Sequence, residues 1–299
     1  DIVEHQHRRE LRALRVFGAW TNLTDLKAGN TLDTLVTSGG RKVVRHYLQD
    51  VGSTFGIGAN GPHDWDEGFE YFYEGDSTLR RMMTFGFALA PWQTTPYKIY
   101  PSVGRFESEA FDPKAWRPHA ATVAYLELLP DDAFWAARRV AAFDDERVRA
   151  AVHAGQYSDP AAEQHLAAIL IARREKVARA YLADVNPIVN PTLADDGRLT
   201  FDNAAVSAGV APPPVRYRAV WSSFDNATGT TAPLGETTAE RTVIDAPRTL
   251  SSNEGTFVQV QLSAESAAHP QWGRALTVHF RRTGDRWTLV GLDRGIGGR

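Results

Sequence analysis

The sequence predicts an α+β protein in two parts: a mainly helical part over residues 1–187 that carries one β-hairpin, then a small all-β, sandwich-like part over 188–299. Three observations predict it. Four segments between His5 and Tyr181 read as helices. Asn186-Pro187 and Asn190-Pro191 then break helicity twice in quick succession. Beyond them, β-branched runs alternate with turn signals. At 299 residues and 43% apolar, the chain is long enough for two domains and rich enough for a substantial core.

The first helix spans His5 to Trp20, where Leu11, Leu14, Phe17 and Trp20 recur at three-residue steps. Thr21 to Asn30 is polar and contains Gly29, which marks a loop. Leu32–Thr37 and Lys42–Leu48 are rich in β-branched residues, and Ser38-Gly39-Gly40 supplies the turn of a hairpin between them. Residues 52–119 are aromatic, rich in Gly and Pro, and show little periodicity; long loops of this kind are usually functional or pinned by large side chains. Helices follow over Asp131–Phe143, Asp144–Ala154 and Asp159–Tyr181, each opened by acidic or Asp-Pro chemistry. In the last part, Val215–Phe224, Glu240–Asp245, Thr256–Ser263, Ala275–Arg282 and Arg286–Leu292 read as strands, with Thr283-Gly284-Asp285 closing a hairpin.

The net charge of −3 gives no basic nucleic-acid footprint, and no apolar run approaches the length of a membrane span. Cysteine is absent, which excludes disulfides and thiolate chemistry without fixing the compartment. Eight tryptophans and many loop-forming residues suit a secreted or periplasmic bacterial protein. The chain starts at Asp1, which points to a processed product or a fragment.

One ordered series carries chemistry. Asp25-x-Lys27-x-x-Asn30 follows the first helix, the hairpin comes next, and Asp50-Val51-Gly52 closes the series. Phosphoryl transfer to a hydroxyl needs a carboxylate near the attacking oxygen and a divalent metal bridging the phosphates. An Asp followed five residues later by an Asn, with a second Asp after a hairpin, is the kinase arrangement of those groups. As separate residues, Asp25, Asn30 and Asp50 also read as turn and cap residues.

Over Gly18–Asp25, Asn30 and Tyr47–Gly56, which includes Asp50-Val51-Gly52-Ser53-Thr54-Phe55-Gly56, the chain resembles atypical kinases of the spore-coat CotH and HipA types. The resemblance extends more loosely over residues 4–184 and implies the C-terminal lobe of a protein-kinase-like fold. The whole layout also resembles a family of secreted bacterial proteins. What the kinase resemblance implies is an ATP-using phosphotransferase with magnesium or manganese: Asp25 as base or hydroxyl-orienting residue, Lys27 on the transferred phosphoryl group, and Asn30 and Asp50 on the metal. Nucleotide and a hydroxyl-bearing acceptor are the implied partners. The pattern departs from the family where Leu23-Thr24 replaces His-Arg before Asp25. A kinase also needs an N-terminal lobe, which the resemblance places on a longer chain or a separate polypeptide, unless the protein is a degenerate relative. The competing expectation is a non-catalytic secreted scaffold that uses aromatic loops and the β part to contact protein or glycan.

Other features weigh less. His5-Gln6-His7 places its histidines on different helix faces and reads as a solvated start. His63-Asp64-Trp65-Asp66-Glu67 reads as a polar loop with a Trp anchor, or as a site for a cation or basic substrate. Asp64 and Glu67 as a hydrolase pair have no supporting context. Trp65, Phe69, Tyr71, Phe72, Tyr73 and Trp92 read as core under long loops, or as a carbohydrate platform. Arg138-Arg139 and Arg173-Arg174 read as solvated faces. Trp221, Trp272 and Trp287 read as core.

Overall fold

The computed structural model describes residues 6–58, 60–71, 74–96, 98–251 and 253–295. It is α+β, with helices concentrated in the first two thirds and antiparallel strands in the last. The chain divides into two compact units, Asp1–Leu128 with Trp135–Val177, and Leu129–Phe134 with Ala178–Arg299. The second unit takes in 129–134 together with the chain from Ala178 onward. Among the described residues no helix is long and apolar enough to cross a membrane.

In the first unit, α1 (Arg9–Thr21) buries Ala13, Val16, Ala19 and Trp20. Leu11, Leu14 and Phe17, expected on the buried stripe, are only half-buried. Small residues decide which face goes inward, because a Cβ on Gly18 would lie 2.9 Å from Leu26 and 3.1 Å from Trp116. The helix stops where Asn22 takes a left-handed conformation (φ 53°) and Leu23 N–H donates to the Gly18 carbonyl at 3.0 Å. That is the bond pattern of a left-handed C-cap, which Asn tolerates better than most residues.

Strands β1 (Thr31–Ser38) and β2 (Arg41–Leu48) pair antiparallel from Thr31 opposite Leu48 to Ser38 opposite Arg41. Gly39 and Gly40 both have positive φ, as a two-residue hairpin turn with matching twist requires. The aperiodic stretch contains a short ladder, β3 (Ile57–Gly58) with β4 (Gly61–Pro62), and the helices α2 (Gly75–Met83), α3 (Pro91–Thr94) and α4 (Val123–Leu126). Nine-residue α2 carries Leu79, Met82 and Met83 at helical spacing yet buries none of its residues.

Helices α5 (Pro130–Ala141), α6 (Asp145–His153) and α7 (Pro160–Tyr181) lie close to their expected bounds. Asp144 accepts from Arg147 N–H at 2.8 Å and Asp159 from Ala161 N–H at 2.9 Å, as N-terminal caps do. Arg173 corrects the expectation of a solvated face: it is 3% exposed. Its guanidinium donates to the carbonyls of Ala19, Trp20 and Glu107 and lies over the Phe111 ring. Burial pulls its pKa down to about 9, so it stays charged at neutral pH while holding the end of α1. Arg174 pairs with Asp145 at 2.7 Å.

The second unit holds β5 (Ile188–Leu193), β6 (Arg198–Asn203), α8 (Ala204–Ser207), β7 (Arg216–Phe224), β8 (Thr231–Ala239), β9 (Val243–Asp245), β10 (Phe257–Glu265), β11 (Leu276–Thr283) and β12 (Arg286–Asp293). They form a five-stranded sheet in the order β12-β11-β10-β7-β8 and a three-stranded sheet β5-β6-β9, all antiparallel. Asn190-Pro191, expected to break helicity, lies inside strand β5, where the register shifts between Val189 and Thr192. Pro233 and Gly235 lie in β8, an edge strand, where a missing ladder donor is tolerated. Trp221, Trp272 and Trp287 are buried as expected. Buried Arg294 donates to the carbonyls of Asn186 and Ile188 and to Asp131 at 3.2 Å, with its guanidinium over Phe134.

Candidate functional site

The loop after α1 is strapped on both sides by backbone bonds. Thr24 N–H donates to the Ser53 carbonyl at 3.3 Å, and Leu26 N–H to the Ala120 carbonyl at 3.1 Å. Ala120 N–H returns a bond to Thr24, and Phe55 N–H donates to Thr21 at 2.7 Å. The Asp25 segment is therefore held between the stretch after Asp50 and residue 120.

Within this loop the five-residue spacing closes on itself. The side-chain amide nitrogen of buried Asn30 donates to the Asp25 carbonyl at 2.9 Å, and the Asn30 carbonyl accepts from Gln49 N–H at 2.9 Å. Asp25, Asn30 and the residue before Asp50 thus meet at the base of the hairpin. Committing the amide nitrogen inward leaves the Asn30 side-chain oxygen as its acceptor end. Asp50 is exposed and left-handed (φ 53°), a conformation that Asp, like Asn, adopts in turns.

Lys27 Nζ donates to the Asp25 carboxylate at 2.6 Å. That hydrogen bond, with the charges of Asp25 and Asp50, raises the Lys27 pKa, so the ammonium persists through neutral pH. Asp25 opens on a cavity of about 340 Å³ whose wall includes Thr24, Ser53, Asp64, Glu67 and His119. Lys27 lines a second cavity with Leu11, Thr31 and Tyr125.

The segment 63–67 separates into distinct roles. His63 is 4% exposed, Asp64 and Glu67 reach the Asp25 cavity, and Trp65 is exposed. Glu67 also accepts from Asp64 N–H at 3.1 Å, which makes the acidic pair a turn as well as a wall. The Trp92 ring stacks on Phe69 at 4.9 Å and lies 5.2 Å from Trp65. Phe69 and Trp92 line a third cavity of about 340 Å³ with Glu70, Glu74 and Arg117, and the Arg117 guanidinium lies over the Tyr71 ring. Phe72 and Tyr73, expected in the same aromatic set, lie outside the described residues, as does His5.

All four sequence-predicted site residues therefore lie around one hairpin base, with Asp25 and Lys27 in direct contact and Asn30 bonded to the Asp25 backbone. Thr24, Ser53 and His119 belong to the same neighbourhood and were not singled out as site residues, while His63 was read only as part of the polar 63–67 cluster. Their contacts span tens of residues and leave no periodic signal. Among the described residues, no group of three or more His, Asp or Glu side chains forms a metal cage. The oxygens around the hairpin base are the Asn30 side-chain oxygen and the carboxylates of Asp25 and Asp50, the first of which Lys27 already engages. Such a set suits Mg²⁺, which keeps several waters and takes its remaining ligands from substrate phosphates. Compared with known protein families, curated proteins and solved structures, the chain matches none.

Proposed function

We propose that the loop and hairpin base form a kinase-like phosphotransferase site that uses ATP and a divalent metal. What supports this reading is the closed Asp25–Asn30 loop joined to Gln49, which brings Asp25, Lys27 and Asn30 together one residue from Asp50, in the chain order of the kinase motif. Asp25, facing the cavity, orients the acceptor hydroxyl and takes its proton as the new P–O bond forms and the bond to the ADP oxygen breaks. Lys27 leaves its ion pair with Asp25 to meet the transferred phosphoryl group. Asn30 and Asp50 would hold the metal, which when bound neutralises phosphate charge. The mainly helical unit is read on this basis as a kinase-like C-terminal lobe.

Mg²⁺-dependent stabilisation by ATP tests this reading. At one hundred times its dissociation constant, a ligand adds about 2.7 kcal/mol of stability. Asp50→Ala is expected to abolish the nucleotide-induced shift in Tm, and Asp25→Ala to keep the shift while losing phosphoryl transfer. No shift at millimolar ATP with Mg²⁺ would sink the reading.

A second reading, a non-catalytic scaffold that binds protein or glycan, is favoured by the Trp65–Trp92–Phe69 aromatic group beside its cavity. An exposed Trp65 beside the half-buried Phe69–Trp92 stack suits sugar rings and apolar side chains. Oligosaccharide binding lost in Trp92→Ala, without any response to ATP, is the result that selects it.

A further inference from the structure

A chain of five side-chain hydrogen bonds runs behind the Asp25 cavity, and its polarity follows from its two ends. Trp116 Nε1 can only donate, and it meets the Asn22 side-chain oxygen at 2.9 Å. Asn22 must therefore turn its amide nitrogen to His63 Nδ1, 3.2 Å away, and that ring nitrogen must accept. The proton of a neutral His63 then sits on Nε2. This nitrogen faces two acceptors, Ser53 Oγ at 3.2 Å and a Glu67 carboxylate oxygen at 3.7 Å. Ser53 Oγ lies 3.4 Å from Thr24 Oγ1, which donates to the same carboxylate. The chain starts at an obligate donor and ends at an obligate acceptor, so each link has one direction.

The geometry is closely built. His63 is 4% exposed, and Asn22 and Thr24 are also buried. Gly68 has φ 90°, and a Cβ there would lie 2.4 Å from the Asn22 side-chain oxygen, so the chain of bonds leaves no room for a side chain at 68. Thr24 directly precedes Asp25, and Ser53 follows Asp50 by three residues. The chain thus links the two loops that carry those aspartates.

We propose that His63 is a positioning residue, a neutral Nε2–H imidazole that ties the Asp25 loop to the segment after Asp50, and that its protonation releases the tie. A second proton would have to go on Nδ1, where it faces the Asn22 amide nitrogen, donor against donor. Asn22 cannot rotate to accept it, because Trp116 would then face a donor too. The charged groups around the ring are Glu67, Asp64 and His119, and the Ile57 carbonyl also faces it. Burial, joined by the charge of His119, outweighs the pull of Glu67, Asp64 and the Ile57 carbonyl and lowers the His63 pKa from its ordinary value, in keeping with a ring held neutral. The sign follows: the unfolded chain binds this proton more readily, so the stabilisation is complete above about 6.5 and is lost as pH falls through the lowered folded value.

Histidine ¹⁵N spectra and amide exchange of the intact chain test the proposal. At pH 7 the His63 ring is expected as the Nε2–H tautomer. The protection factor of Thr24 N–H, bonded to Ser53, is expected to fall at least about tenfold between pH 7 and pH 4.5, a change of about 1.4 kcal/mol in local opening. In His63→Gln, which keeps a donor and an acceptor but does not titrate, that fall is expected to shrink to less than about twofold. An Nδ1–H or charged ring at pH 7 overturns the proposal, and so does an unchanged pH response in His63→Gln. If that variant fails to fold, the wild-type tautomer still decides. Any effect on phosphoryl transfer rests on the function proposed above, whereas the tautomer and the protection factor do not. A chain that ignores Mg–ATP but shows both would therefore refute that function and leave the role of His63 standing.

Discussion

In β10, Val258, Val260 and Leu262 are fully buried, whereas Leu35 and Val44, opposite each other in the β1–β2 hairpin, are 67% and 54% exposed. Both regions use β-branched antiparallel strands. The five-stranded sheet holds its register by burying alternate residues, because a one-residue slip would expose them. The hairpin buries little, and its placement rests on the glycine turn and on polar bonds at its base. Apolar burial therefore fixes the second unit, while backbone approach and hydrogen bonds fix the candidate site.

Substitutions can break that comparison. The largest effect is expected in the first unit, at Gly104, whose φ is 70° and where a Cβ would lie 2.1 Å from the Gly56 carbonyl oxygen. Gly104→Ala should cost about 4 kcal/mol or more, since backbone must move to admit the methyl. Leu262→Ala, in the apolar sheet, should cost about 3 kcal/mol through lost transfer energy and an unfilled cavity. Leu35→Thr should change stability by no more than about 0.5 kcal/mol. Urea denaturation of the three variants checks the order. A cost above about 2 kcal/mol at Leu35 would show that the hairpin face is covered in solution and would erase the contrast.

The same division explains what was legible beforehand. The hairpin, its Gly39-Gly40 turn, the Asp144 and Asp159 caps and most strands of the second unit could be read, because each depends on neighbours in sequence or on a regular period. The spacing of Asp25, Asn30 and Asp50 was legible for the same reason. Other features depend on contacts far along the chain. Trp116 reaches Asn22 from 94 residues away, and nothing near His63 distinguishes a buried imidazole from a loop residue. Arg173 looked solvated because charge normally is; it is buried because three backbone carbonyls and two aromatic rings receive it. Strand β8 hid behind Pro233 and Gly235, which only an edge position accommodates.

Arg294 has a consequence for how this protein can be divided. Its buried guanidinium in the second unit pairs with Asp131, which lies more than half the chain upstream and ahead of the long helix α7. The β-rich part is thus not a self-contained cassette. A piece cut out from residue 188 onward would carry a buried positive charge away from a carboxylate that offsets it, and removing one partner of a buried pair costs about 3–5 kcal/mol. Transplanting that part, by recombination or by design, means bringing residues 129–134 along with it.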